Sequence, residues 1–415
     1  MKLNNIFPKI YFNNNFLKKN EFSIIVLLYF YSYVLGPAIV NIYTVILAIY
    51  ALIYIIRKKR TFNKLEFFFS LFISYIILKD FFLSDSINYD FIGILRFYLI
   101  FLLIYKFKDQ DLNIFYFLIY SCLFISIDGI FQYFFNYNFF GYPKYEFNRL
   151  TGVFGNEPII GSFLIKFFFP VLVYFFIIKV NKIFYGISFL ILSLCIFLSG
   201  EKMAFIQLLI FSISILSYLF IFKRNFFIKI KTNYLKVFII FLIASSFLLI
   251  YNQNYKNNRF YSLYVNILDF DYKNLSNNNH FNTSYTNYVY NFASALKTFN
   301  LSPYYGNGYR DYNVNCKDKL KGSYLSVGCS THPHNITLEV LTDHGIIGVI
   351  LFYNFIFYLI FKNFNSRDKN YGFYISFLIL NFPLFTSQSI FSSYFGSIYF
   401  LILYINYYIY LKNLK

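Results

Sequence analysis

A polar segment between two apolar stretches carries side chains that can move protons. It runs from His332 to Gly348 and reads HPHNITLEVLTDHGIIG. Asn335 or Thr337 can cap a helix that begins here, which places His334 just before the first helical turn. A neutral imidazole there can take a proton from a hydroxyl, so His334 is a candidate general base. A solvated loop histidine is the alternative interpretation.

The same segment contains two carboxylates. Glu339 and Asp343 are four positions apart and share one face of the expected helix. They are candidates for orienting His334, although packing and helix capping explain them equally well. Gly345 gives the chain freedom to bend before the next apolar span.

The histidines also allow a metal site as an alternative. Its ligands would be His332, His334 and His344, with His280 or Asp343. The H-x-H spacing matches no firm zinc pattern. We therefore predict neither a metal nor a cofactor.

The composition predicts the elements that position these residues. The chain has 415 residues, of which 58% are hydrophobic, 25% aromatic and only 13% charged. Soluble domains are about 45–50% apolar and about 25% charged. These values exclude a soluble enzyme, a disordered chain and a collagen-like fibre. We predict an all-α polytopic membrane protein.

Apolar segments recur along the chain, and most are near the roughly 20 residues that a spanning helix needs. They predict about twelve transmembrane helices. The segments are 22–36, 38–56, 65–79, 91–106, 112–134, 158–178, 183–199, 203–222, 235–252, 338–361, 371–386 and 388–410.

The net charge of +19 reports the orientation of these helices. In a soluble protein it would suggest nucleic acid, which we do not expect here. With a cytoplasmic N-terminus, 23 of the 37 Lys and Arg residues fall in short cytoplasmic segments, as the positive-inside rule requires. We therefore predict cytoplasmic termini, with 1–20 leading into a signal anchor. The cytoplasmic segments are 1–20, 57–64, 106–111, 179–182, 223–236, 362–370 and 411–415.

A large polar loop, 253–337, separates the ninth and tenth spans and is too polar to lie in lipid. The predicted organisation is therefore helices 1–9 in 1–252, a large periplasmic loop, and helices 10–12 in 338–415. Apolar residues within the loop recur at helical spacing, which predicts an amphipathic helix resting on the membrane or on the bundle. These residues are Tyr285, Tyr288, Val289, Phe292, Leu296 and Phe299.

Two of the four cysteines, Cys316 and Cys329, lie in this loop. If the loop is periplasmic, its compartment is oxidising, which favours a disulfide between them over two unpaired thiols. The bond would hold the segment just before His332 and His334.

Cations on the outer side need an explanation other than topology. Arginine binds phosphate oxygens in bidentate geometry, and the turn Gly306-Asn307-Gly308 could present backbone N–H groups to the same anion. The alternative is ordinary solvated loop charge, which we favour for Lys317, Lys319 and Lys321. The candidates for a positive outer cavity are Arg149, Lys202, Arg259 and Arg310.

At this point the sequence resembles the O-antigen ligase and O-antigen polymerase superfamily of bacterial membrane glycosyltransferases. Its most specific signature is H-N-x-x-L-E-x-L-x-x-x-G-x-x-G. Three weaker stretches fit in the same order: 149–158 (RLTGVFGNEP), 199–202 (SGEK) and 292–308. The signature is matched by His334, Asn335, Leu338, Glu339, Leu341, Gly345 and Gly348.

The chain departs from the family pattern at three places. Lys202 stands where the family often has Arg, which loses bidentate geometry. No Arg stands near Ser284, where the family often has one. Asn156-Glu157-Pro158 differs from the usual N-P pair.

The resemblance implies a transfer of a glycan from a polyprenyl diphosphate to an acceptor hydroxyl. The site would be periplasmic, in a bacterial inner membrane, and would use no nucleotide. His334 would be the base, and the outer cations would bind the diphosphate. The acceptor would be a second lipid-linked glycan in a polymerase or a lipid A–core sugar in a ligase, and a chain-length regulator is a further candidate partner.

Two other classes of function compete with this one. A twelve-span transporter or flippase would use ionisable residues at mid-membrane, for which only Arg96, Asp128 and Lys166 are available. A membrane scaffold would use the loop 253–337 for protein contacts, but nothing specific in the sequence supports it.

Overall fold

The computed structural model describes residues 14–58, 62–83, 91–110, 115–178, 182–222, 284–364, 370–383 and 385–414. The predicted ninth span, the first part of the large loop, Arg259 and His280 lie outside these ranges. Within them the named elements are all helical, which confirms the all-α class for this part of the chain. 

The helices begin and end close to the apolar segments. We number them α1 to α13 in chain order. They are α1 Asn14–Leu35, α2 Pro37–Arg57, α3 Lys64–Leu83, α4 Ile92–Leu103, α5 Tyr116–Phe135, α6 Ile160–Ile178, α7 Lys182–Leu198, α8 Lys202–Phe222, α9 Ser284–Phe299, α10 Tyr312–Lys319, α11 Ile336–Phe364, α12 Tyr371–Leu380 and α13 Phe395–Asn413.

Three helices in the described ranges are long and apolar enough to cross a membrane. They are Pro37–Arg57, Tyr116–Phe135 and Ile336–Lys362. Shorter apolar helices occur at Ile160–Tyr174, Phe184–Leu198, Lys202–Tyr218 and Tyr371–Leu380. The chain therefore has membrane-helix character, and the number twelve stays a prediction.

The last two predicted spans differ most from the observed helices. α12 ends at Leu380 and α13 begins only at Phe395, so the start of the predicted span 388–410 is not helical. The physical reason is that this connection uses its backbone elsewhere. Ile390 N, which lies within the predicted span, donates to the Glu339 side chain at 3.0 Å instead of to the carbonyl of a preceding helical turn.

The chain divides into two compact units whose segments alternate along the sequence. The first unit contains Met1–Val34, Asp109–Ser262 and Ser366–Ile379. The second contains Leu35–Lys108, Leu263–Asn365 and Leu380–Lys415.

Aromatic side chains form the core of each unit. In the first, Tyr33 stacks on Phe163 with ring centroids 5.5 Å apart. In the second, Phe69 of α3 stacks on Phe355 of α11 at 4.6 Å, and Phe101 of α4 on Tyr407 of α13 at 4.1 Å. Such pairs bury large areas and fix the helix contacts. The second unit thus holds α11, which carries the signature segment, in a rigid frame.

Candidate functional site

A cavity of about 150 Å³ opens within the second unit, at the start of α11. Its two carboxylates are buried, with Glu339 3% and Asp343 1% exposed, whereas Arg310 is exposed at its edge. The cavity is therefore acidic at its floor and basic at its rim. The other lining residues are Tyr312, Thr331, His332, Pro333, Ser389, Ser392 and Phe395.

α11 is broken below this cavity. Gly345 has φ 66° and ψ −169°, a conformation that is essentially restricted to glycine. Such a break deprives nearby carbonyls of their helical partners. The carbonyls of Thr342 and Asp343 are instead satisfied by the N–H groups of Asn307 at 2.9 Å and Gly308 at 3.1 Å.

The loop before Gly308 also satisfies the donors on the other side of the break. Ile346 N donates to Pro303 O at 2.9 Å, and Ile347 N donates to Tyr304 O at 3.3 Å. A Cβ atom on Gly345 would collide with Tyr304 O. Loop and helix thus exchange hydrogen bonds at very close range.

These bonds overturn one expectation from the sequence. The turn Gly306-Asn307-Gly308 does not offer its amides to an anion, because all three are already used. Gly306 N donates to Ser302 O at 2.8 Å, and the other two donate to α11. The glycines serve close packing against α11 instead.

Asp343 fixes the position of Arg310. Its Oδ2 accepts the backbone N–H of Arg310 at 3.0 Å, and Arg310 adopts a positive φ of 62°. Lys79 of α3, which pairs with Asp80 at 3.1 Å, donates its Nζ to the backbone carbonyl of Asp343 at 2.5 Å. The carboxylate therefore positions the rim residue, and an orienting role towards His334 stays a prediction.

Glu339 fixes the connection between α12 and α13. Its Oε1 accepts the Ser389 hydroxyl, and its Oε2 accepts the Ile390 N–H at 3.0 Å. These bonds hold Ser389 in the cavity wall. The sequence alone did not select Ser389, since it lies in an apolar stretch predicted to be helical.

Asn335 caps α11, one of the two caps proposed from the sequence. Its Oδ1 accepts the N–H of Leu338 at 2.9 Å, which satisfies a donor in the first turn. Its Nδ2 donates to the carbonyl of Phe385 at 3.1 Å. His334, directly before the cap, has a positive φ of 55°. The cap and the connection together set the backbone of His334.

Two imidazoles lie against each other at the cavity. The ring centroids of His332 and His334 are 4.1 Å apart. Burial and the neighbouring His334 lower the pKa of His332 to about 3, and burial also lowers the pKa of His334. Both rings are therefore neutral at pH 7, the state that a general base needs.

It is His332, not His334, whose side chain lines the cavity. Its Nδ1 lies 3.1 Å from the Thr331 hydroxyl, and its Nε2 is buried with no hydrogen-bond partner in the described part of the chain. From the sequence, His332 is a candidate only as a metal ligand. The H-P-H spacing was the signal that the two rings belong together.

A disulfide joins Cys316 to Cys329, with their Cα atoms 5.5 Å apart. Both cysteines belong to a small buried cluster with Ala295, Tyr312 and Leu320. The bond therefore ties α10 to the segment that leads, three residues later, to His332, and the cluster packs both against Ala295 of α9.

In the first unit, Arg149 and Glu201 lie near the start of α6. Arg149 Nη2 donates to Pro158 O at 2.8 Å, and its Nε is buried without a partner in the described residues. Glu201 caps α6 by accepting the N–H groups of Gly161 at 2.6 Å and Ser162 at 3.0 Å. Burial raises the pKa of Glu201, while the Ser162 hydrogen bond and the charge of Arg149 oppose the rise.

A buried network holds the loop that leads to Arg149. Asp128 of α5 accepts the N–H of Phe139 at 2.8 Å and the Asn138 side chain at 3.3 Å. Gln132 accepts the N–H groups of Thr151 and Gly152, each at 2.9 Å. Asp128 thus has a structural role, although the transporter alternative had included it as a transport residue.

Residues 187–353 match the family model described as O-antigen ligase. The resemblance to this family is confirmed. The matched segment runs from within α7 to the middle of α11, and so includes Lys202, Arg310, His334, Glu339 and Asp343. A comparison with curated proteins finds no match.

The structure brings together part of the set that the O-antigen ligase resemblance suggests. Arg310, Glu339 and Asp343 share one cavity, and His334 contacts its wall through His332. In the described ranges, no three His, Cys, Asp or Glu side chains cluster as metal ligands.

The remaining candidate cations are in other parts of the chain. Arg149 and Lys202 belong to the first unit, and Arg259 lies outside the described residues. A single positive cavity built from all four cations stays a prediction.

Proposed function

We propose that this protein is a membrane glycosyltransferase that moves a glycan from a polyprenyl diphosphate to a hydroxyl of an acceptor. The observation that carries the proposal is a cavity with an exposed Arg310 at its rim and His332 in its wall, with the ring of His334 packed against His332. The match to the O-antigen ligase family and the membrane-length helices agree with it.

In the proposed reaction, the acceptor hydroxyl attacks the anomeric carbon of the donor glycan. A carbon–oxygen bond forms there as the bond to the diphosphate oxygen breaks, and the hydroxyl proton passes to the imidazole of His334. A positioned general base of this kind contributes about 10²–10⁴-fold to the rate.

The leaving diphosphate carries negative charge that needs cations. Arginine is suited to this because its guanidinium binds two phosphate oxygens at once. Arg310 is exposed at the rim, and its backbone is held by Asp343. Within the second unit we assign Arg310 to the diphosphate, and the contributions of Arg149, Lys202 and Arg259 stay predictions from the sequence.

We assign the base to His334 because it belongs to the signature, and place His332 beside it as the ring that faces the cavity. Glu339 acts indirectly, by holding Ser389 and Ile390 in the opposite wall. The site would lie at the outer, periplasmic membrane surface of the bacterial inner membrane.

The test is a strain that lacks this protein, with its surface glycan and its polyprenyl-linked intermediates profiled together. Acceptors capped by single repeat units would identify a polymerase. Long chains left on the polyprenyl carrier, with bare acceptor, would identify a ligase. Intermediates trapped at the cytoplasmic face would contradict glycosyl transfer and support the flippase alternative.

A further inference from the structure

The apolar face of α9 points away from the protein. Leu296 is 50% exposed, and the other described members of the predicted apolar face, Val289, Phe292 and Phe299, are half-buried. The fully buried positions of the helix are mostly small or polar: Tyr290, Asn291, Ser294, Ala295 and Thr298. A surface helix of a soluble protein shows the opposite arrangement, with its large apolar side chains facing the core and its polar side chains facing water.

The inward face is small because the neighbouring segment approaches closely. Ser294 Oγ donates to Leu325 O at 2.6 Å, and a Cβ atom on Gly328 would collide with the carbonyl of Tyr290. A larger side chain in place of Ser294 does not fit there. The packing within the second unit therefore leaves the larger apolar side chains outside.

The loop after α9 continues this apolar surface. Leu301 is 47%, Tyr304 66% and Tyr305 50% exposed. The loop is level with the start of the apolar part of α11, because Tyr304 O accepts the N–H of Ile347. On α11 the nearby Ile346 is 41% exposed. The loop is thus continuous with the outer face of a helix that is long enough to cross a membrane.

We propose that α9 and the loop 301–305 form an interfacial element that lies in the outer membrane–water boundary and binds membrane lipid. Apolar faces of this kind bury about 5–10 Å into the headgroup and acyl boundary. Tyrosine is enriched at that depth, which suits Tyr304 and Tyr305. Lys297 is exposed in the last turn of α9, where it can reach lipid phosphates.

The lipid occupant follows from two observations. The surface joins the exposed apolar face of α11, which includes Ile350 at 54%, so a lipid layer that covers one covers the other. Exposed apolar side chains that continue from the loop onto the helix would also promote aggregation in water. The sequence left open whether this helix rests on the membrane or on the helix bundle, and we choose the membrane. This inference does not depend on glycosyl transfer.

The chain contains no tryptophan, so one introduced tryptophan is a unique fluorescent probe. Leu296→Trp and Tyr304→Trp are made separately in the full chain, at exposed positions where the larger ring disturbs little packing. Each is reconstituted in vesicles of phosphatidylethanolamine and phosphatidylglycerol. Lipids brominated at different depths then act as quenchers.

Two variants calibrate the depth scale. Phe357→Trp is the deep control, because Phe357 is exposed and lies twelve residues past the break, about 18 Å along the helix. Lys321→Trp is the aqueous control, because Lys321 is an exposed cation next to α10. Iodide in the buffer reports access from water.

We expect Leu296→Trp and Tyr304→Trp to lose emission with lipids brominated near the headgroups and to emit at shorter wavelength than Lys321→Trp. Phe357→Trp should respond best to lipids brominated deep in the acyl chains. Iodide quenching of both test variants without quenching by brominated lipid would overturn the proposal. Protection from both quenchers would also overturn it, since it would indicate a protein partner.

Discussion

At the residue scale, the signature histidine occupies a strained position. His334 has φ 55°, a region that few non-glycine residues visit, and its carbonyl is held by Ser387 N at 2.9 Å. Such strain costs about 1–3 kcal/mol and is kept where the surroundings fix it. The surroundings here are the cap of α11 and the connection to α13.

His334→Ala should leave an inserted, folded protein whose transfer activity falls about 10²–10⁴-fold, the usual contribution of a general base. The readout is transfer from the polyprenyl-linked glycan, with folding followed by detergent gel filtration. His332→Gln is the matched variant and should lose less, since glutamine keeps a polar side chain at the cavity. If His334→Ala is near normal and the His332 variant inactive, the base is His332.

The burial of both rings predicts the pH dependence. The pKa of His334 lies below its ordinary value of 6.5, so the neutral, proton-accepting form persists to lower pH than in a free imidazole. The acid limb of kcat/KM should therefore fall at a pH below 6.5. If kcat/KM instead falls at a pH above 6.5, and His334→Ala removes this pH dependence, then His334 is not a buried, neutral imidazole.

At the element scale, the break in α11 depends on Gly345. Gly345→Ala requires a backbone conformation that costs about 1–3 kcal/mol and a Cβ atom that collides with Tyr304 O. We expect a lower thermal unfolding temperature and loss of activity. Gly93→Ala in α4 is the control, because no atom lies within 4 Å of its added Cβ. Equal unfolding temperatures for the two variants would argue against the strained break.

The disulfide offers a second test at this scale. Closing a loop of about 15 residues stabilises a fold by about 3 kcal/mol in the chain-entropy model. Cys316→Ser should therefore lower the unfolding temperature and remove its dependence on reductant. Cys122→Ser serves as control, since Cys122 is a free, buried cysteine of the first unit. A reductant-insensitive parent protein would show that the bond does not form.

The sequence predicted correctly those features that depend on residues close together in the chain. Helical spans, the Asn335 cap and the Cys316–Cys329 pair all follow from short-range chemistry. The connection 381–394 could not be predicted, because its apolar composition resembles a span while its backbone and side chains bond to Glu339 and His334. The amides of the turn 306–308 were misassigned for the same reason, since their acceptors appear only when α11 breaks.

At the scale of the whole molecule, the competing transporter hypothesis depends on buried charges. Asp128 already anchors Phe139 and Asn138, so its carboxylate has a structural task. Asp128→Asn should cost about 1–3 kcal/mol of stability but leave transfer activity per folded molecule nearly unchanged. Activity is measured after correcting for folded protein. A well-folded Asp128→Asn protein without function would favour a mobile charge in transport.

The cavity also constrains the order in which the protein matures during synthesis. Its walls combine Arg310, Glu339 and Ser389, which lie far apart in the sequence and therefore leave the ribosome at different times. Until Ser389 and Ile390 emerge, Glu339 is a carboxylate in an apolar helix without its two donors. The C-terminal connection therefore completes the site last, and a chain released before it would be inserted but catalytically immature.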